Sequence, residues 1–170
     1  MIASSIKTYL PQICLSLESS CNTDQGSPQI WLDCTQSRSQ IDLQIYQFKL
    51  AHNLTDKDTI IVSDSRNLFG VYLDPYEDLD DILGIAQSVH LHGEAYVKFL
   101  DWNVFHSEEL FNKAYQGRYD SFYDFGYEHY EDNLQYWHPA SEDFDYEEYA
   151  RDDLLSGSYD WIDGYVFEKQ

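Results

Sequence analysis

Residues 158–167 read SYDWIDGYVF, and the fold is decided there. Asp163-Gly164 lies between two β-prone runs, Ser158 to Ile162 and Tyr165 to Phe167. Asp-Gly readily takes the left-handed backbone that a two-residue hairpin turn demands, so the flanking runs fold back as antiparallel strands. What precedes the hairpin has a different period. Tyrosines recur at 115, 119, 123, 127 and 130, and Asp120, Asp124, Glu128 and Asp132 recur every fourth residue. On one α-helix these form two parallel stripes about 100° apart, one aromatic and one anionic. Tyr and Asp are mediocre helix formers, so coil is the competing reading. Helix followed by hairpin makes this end of the chain α+β.

Further upstream, residues 77–117 read as helical. Leu79, Ile82, Leu83, Ala86 and Val89 follow the i, i+3, i+4, i+7 rule. Gly93 breaks that run, Ala95, Tyr96, Phe99 and Leu100 open another apolar face, and Ser107-Glu108-Glu109 has the form of a capped first turn. Residues 1–76 read as a small α+β unit. Strands are expected at 12–17 and 29–33, separated by the turn-rich stretch Ser19 to Pro28. A helix capped by Ser37 or Ser39 should run to about Ala51, with Ile41, Ile45, Phe48 and His52 on one face. Thr59 to Ser63 should form a third strand. The segments are thus 1–76, 77–117 and 118–170.

Charge is distributed unevenly over these segments. The 170 residues hold 31 Asp and Glu against 10 Lys and Arg, a net of −21. Residues 1–70 carry 7 acidic and 5 basic side chains, residues 71–170 carry 24 and 5. Between Arg118 and Arg151 there is no Lys or Arg. Solubility alone is met by a charge of magnitude about 2–8, and self-repulsion on this scale opposes compaction. With 15 Tyr, 9 Phe and 4 Trp the chain nevertheless has ample material for a core, unlike acidic disordered segments. The sign excludes direct binding to nucleic acid, which requires basic patches, and disfavours anionic membranes. No apolar run approaches the roughly 20 residues that span a bilayer. Lys7 and the interrupted run Ile13 to Leu17 are too weak for a secretory signal. The three cysteines, Cys14, Cys21 and Cys34, lack zinc spacing and read as reduced thiols of a cytoplasmic protein.

Catalytic signatures are lacking: there is no G-x-S-x-G, no H-E-x-x-H, no phosphate-cradling glycine loop and no dinucleotide fingerprint. Asp74 to Asp81 (DPYEDLDD) is rich in oxygen ligands. Counted from Asp78, however, Leu83 falls where an EF-hand needs Gly and Val89 where it needs Glu. His90 and His92 are the one close histidine pair and the seed of a metal-dependent alternative. The expectation is no cofactor, no metal and no catalytic residue. The carboxylates are then displayed, and helical i, i+4 spacing lays them about 6 Å apart, a coarse version of a phosphate row. Such a surface could occupy the basic groove of a DNA-binding protein.

Several stretches resemble the ArdA antirestriction proteins of mobile genetic elements. Pro11-Gln12-Ile13 through Gly26 to Trp31-Leu32-Asp33 resembles that family's opening strand, glycine turn and second strand. His92-Gly93-Glu94-Ala95-Tyr96 resembles its central helix, and Tyr115 to Ser121 (YQGRYDS) the approach to its third domain. The most specific stretches are Phe144 to Tyr159 (FDYEEYARDDLLSGSY) and Gly164 to Glu168 (GYVFE). Ile61 to Arg66 departs from the family, with Arg66 where an acid is common. The resemblance implies an elongated molecule of three small consecutive domains, dimeric, acting in the cytoplasm of a bacterial host. It implies a non-catalytic mimic of bent duplex DNA that occupies the DNA-binding subunits of a Type I restriction–modification enzyme. The candidate phosphate stand-ins are Asp120, Asp124, Glu128, Asp132, Glu142, Asp143, Asp145, Glu147, Glu148, Asp152 and Asp153, with Asp78, Asp80 and Asp81 extending the row. The alternative is an acidic adaptor, chaperone-like, that binds basic DNA-binding proteins.

Overall fold

The computed structural model describes residues 10–18, 28–103, 107–133, 140–141 and 143–169. Cys21, Gly26 and Glu142 lie outside the described residues. The chain forms two compact units, residues 1–97 and 98–170.

In the first unit, β1 (Gln12–Leu17) is the central strand of an antiparallel sheet, between β2 (Gln29–Asp33) and β3 (Ile60–Arg66). Cys14 pairs with Trp31 on one side and Asp64 on the other. Between Cys14 and Leu15 the register to β3 shifts, since Leu15 pairs with Val62. Ser63 is the extra residue of this bulge, and its hydroxyl donates to the Cys14 carbonyl at 3.3 Å. The third strand is therefore three residues longer than its β-branched run, extended by the bulge through the polar Asp64 to Arg66. Arg66 places its guanidinium 3.8 Å from the Trp31 ring centre.

The helix α1 (Arg38–Ala51) begins at Ser37, whose N–H donates to the Gln40 side chain at 3.1 Å. It buries Ile41 and Phe48. The helix α2 (Leu79–His92) begins at Asp78 and buries Ile82, Leu83, Ile85, Ala86 and Val89. Gly93 ends it at φ 62°, the positive value that favours glycine, with its N–H on the Val89 carbonyl at 2.8 Å. Gln87 of α2 donates to the Cys34 carbonyl at 3.2 Å, tying that helix to the end of β2. Cys14 and Cys34 are buried and unbonded to each other. Burial and the neighbouring Asp33 charge push the Cys34 thiol up to about 12, so it is a packing residue.

The helix α3 (Glu94–Trp102) straddles the boundary between units. In the second unit, α4 (Glu108–Ala114) starts at Ser107, whose hydroxyl accepts from the Leu110 N–H at 3.3 Å. The strands β4 (Tyr115–Arg118), β5 (Tyr159–Ile162) and β6 (Tyr165–Glu168) form an antiparallel sheet in the order β4-β6-β5. The hairpin turns at Asp163 and Gly164, both at positive φ, as its sequence requires. Between β4 and β5 lie α5 (Phe122–Asn133), α6 (Tyr146–Glu148) and a π-helical stretch, Tyr149–Leu155, that continues α6.

The core of this unit is aromatic. Phe99 meets Phe111 edge-on at 5.5 Å, and Trp102 stacks on Phe167 at 5.3 Å. A second cluster joins Phe125 of α5, Ala150 and Leu154 of the π-helical stretch and Val166 of β6. A Cβ on Gly126 would lie 2.1 Å from the Tyr146 carbonyl oxygen, so only glycine lets α5 approach α6 this closely. Two expectations are corrected here. Tyr115 is not helical, because residues 115–118 pair with β6 as a strand. Tyr119 and Asp120 precede α5, so the stripes share one helix only from Tyr123 and Asp124 onward. Backbone pairing to β6, distant in sequence, prevails over weak local periodicity.

Candidate functional site: the carboxylate surface

Every described member of the acidic set is exposed: Asp78, Asp80, Asp81, Asp120, Asp124, Glu128, Asp132, Asp143, Asp145, Glu147, Glu148, Asp152 and Asp153. Glu142 lies outside the described residues. Local folding explains why several of these carboxylates hold fixed positions. Asp78 caps α2 by accepting from the Asp80 N–H at 2.8 Å. Asp145 caps α6 by accepting from the N–H groups of Glu147 and Glu148, both at 3.0 Å. At the start of α5 the Asp124 N–H donates to the Ser121 hydroxyl at 3.1 Å, and that hydroxyl donates back to the Asp124 carboxylate at 2.6 Å. Two acids, Asp78 and Asp145, thus satisfy helix N-termini directly, and Asp124 is held by the Ser121 cap in a first turn where the helix dipole also favours negative charge.

Along α5, Asp124, Glu128 and Asp132 keep i, i+4 spacing, a row with about 6 Å between neighbours. Tyr119 lies beside it and its hydroxyl meets Glu128 at 3.5 Å. Burial, then the charges of Glu128 and Asp132, pushes that hydroxyl up to about 12, so it stays a neutral donor. A second group converges at the α6 start. Asp143, Asp145, Glu148, Asp152 and Asp153 line a depression of about 490 Å³ together with Ser141, Phe144 and Tyr149. Among the described residues, no cation contributes to that lining.

Not all the acids are uncompensated. Arg38 of α1 bonds Asp80 and pairs with Asp42 at 2.9 Å. Arg151 reaches Glu147 at 3.7 Å and Asp152 at 3.9 Å. These pairs are exposed and contribute about 0–1 kcal/mol each. Asp81, Asp120, Asp132, Asp143 and Asp153 make no ion pair with a described residue.

The metal alternative finds no site among the described residues, where no three His, Cys, Asp or Glu side chains come together to hold an ion. His90 and His92 end α2. Residues two apart on a helix point away from each other, and the His92 ring lies on Tyr96, 6.1 Å between centres. Among the described residues no helix is long and apolar enough to cross a membrane.

Residue spacing alone did not reveal how the tyrosines divide. Tyr130 is buried, whereas Tyr123 and Tyr127 are 49% and 46% exposed. Those two stack nearly parallel, 6.3 Å apart, and Tyr146 stands edge-on to both at 5.6 and 5.2 Å. Glu131, absent from the acidic set above, acts on Tyr146. Partial burial first, then Glu131 and the surrounding tyrosines, raises its hydroxyl pKa. The step of four from Tyr123 to Tyr127 is the sequence signal for this pair.

The sequence model of a protein family described as "Antirestriction protein (ArdA)" matches residues 28–168. That span contains α1 and β3, the acidic row of α5, the acid-lined depression at the α6 start, the π-helical stretch and the closing hairpin. No curated protein sequence matches the chain.

Proposed function

As the chain belongs to the ArdA family and its function is antirestriction, we propose that it acts by occupying the DNA-binding channel of a Type I restriction–modification enzyme. Its carboxylates stand in for the phosphates of duplex DNA and it catalyses no reaction. The observation that carries this reading is the acidic set itself: each described member faces solvent, and helix caps pin Asp78, Asp124 and Asp145. Fixed anions cost no ordering when a basic groove closes on them, and they lack the condensed counterion layer that duplex DNA must shed.

The working molecule in this reading is a homodimer in the bacterial cytoplasm, with segments 1–76, 77–117 and 118–170 acting as three successive modules. Two copies at −21 each carry the charge of about 70 Å of duplex. The weakly charged first segment contributes shape more than mimicry.

The test is competition. Purified protein should bind a Type I enzyme, be displaced by duplex DNA, lose affinity steeply between 50 and 200 mM salt, as about this range weakens phosphate-like contacts, and be indifferent to chelators. If excess duplex leaves the complex intact, mimicry is wrong. Promiscuous capture of unrelated cationic proteins with equal affinity would favour the adaptor reading instead.

A further inference from the structure

The second unit carries an aromatic surface that the antirestriction reading leaves unused. Tyr123, Tyr127 and Tyr146 pack against one another, yet the first two leave about half their surface in water. Tyrosines are costly to expose in a patch, and contiguous exposed aromatics mark interaction sites. The surroundings define the partner. Asp124 and Glu128 follow the two tyrosines on α5, Glu131 stands one turn beyond Tyr127, and Glu147 adjoins Tyr146. The α5 row contributes no Lys or Arg.

Ring faces are the negative part of the aromatic quadrupole. Tyrosine rings half in water, with Asp124, Glu128 and Glu131 on the same helix, therefore suit a planar cation, which can stack on a ring while its N–H groups reach an acid. Guanidinium meets that description and ammonium does so poorly, because it is compact and more strongly hydrated. A second copy does not fit, since a two-fold contact would bring the same carboxylates face to face. The geometry points to Tyr123, Tyr127 and Tyr146 as a binding surface for arginine side chains of a basic protein partner. This deepens the occupancy of a basic channel and rests on it only for the partner's identity, since the chemistry can be probed separately.

The probes are octa-arginine and octa-lysine peptides titrated into the full chain, followed through the tyrosine ring resonances and by calorimetry. Wild type should prefer octa-arginine by about fivefold, the worth of a cation–π contact at a half-exposed site. Y123L/Y127L keeps apolar bulk and helix propensity, so it should fold and lose the preference. Y123F/Y127F keeps the ring faces and should retain it. Equal affinity for the two peptides in wild type, or a preference surviving in Y123L/Y127L, overturns the assignment. So does sedimentation showing that Y123L/Y127L dissociates a wild-type dimer, which would make the patch a contact between copies. Failure of wild type to bind the restriction enzyme while the peptide preference stands would reject the proposed target and leave the arginine surface intact.

Discussion

At the scale of single residues, the sharpest constraint is Gly126. Replacing a helical glycine by alanine ordinarily stabilises by about 1 kcal/mol through propensity. Here the new methyl would sit 2.1 Å from the Tyr146 carbonyl oxygen, and α5 and α6 would have to part. Gly126→Ala should therefore destabilise the protein by about 1–3 kcal/mol, seen as a lower Tm; a rise would mean the two helices are not in contact. His129 supplies a pH dependence. Its Nδ1 and Nε2 lie 3.0 and 3.3 Å from the Tyr149 and Tyr159 hydroxyls. Burial lowers its pKa, and Asp132 and Glu168 partly oppose this. The unfolded chain then takes up the proton first, near pH about 6.5. Stability from this group is whole above that pH and declines as pH falls through the lower folded value. Urea midpoints of wild type and His129→Gln should converge as pH drops from neutral toward 5, and a constant difference would show that the ring titrates normally.

At the scale of elements, the α5 row sets folding against the proposed function. Glu128 and Asp132 repel at i, i+4, which opposes the helix by roughly 0.2–0.5 kcal/mol per pair. Converting Asp120, Glu128 and Asp132 together to their amides should raise Tm slightly while weakening inhibition of the restriction enzyme many-fold. An equal fall in both would show the acids to be structural. Element boundaries were largely legible where local chemistry dictates them. Strands β1 and β2, the Ser37 start of α1, the Gly93 break, the Ser107 cap and the Asp163-Gly164 turn all follow from neighbouring residues. Strand β4 was not legible, because YQGR has neither alternation nor β-branching and owes its conformation to β6, which pairs Tyr115 with Phe167. For the same reason exposure of the acids could be read from composition. The Arg38–Asp80 bond, which joins residues 42 apart, could not.

At the scale of the whole molecule, salt should act in opposite directions on stability and on binding. A net charge of −21 strains the folded chain, and raising ionic strength from 0.01 to 1 M shortens the screening length from about 30 to 3 Å. Tm should rise over that range while affinity for the target falls; parallel changes would show that repulsion within the chain is unimportant. The order β4-β6-β5 has a further consequence, in biosynthesis. The middle strand of the second sheet, Tyr165–Glu168, follows in the chain everything that it organises. While the ribosome is still extending the chain, β4 has no partner and Tyr119 lacks the Gly164 carbonyl that later accepts its N–H at 2.8 Å. Closing such distant contacts is slow, so the acid-rich segment spends its nascent life as an open, self-repelling polymer. Its own charge then guards it against aggregation until residue 168 has emerged.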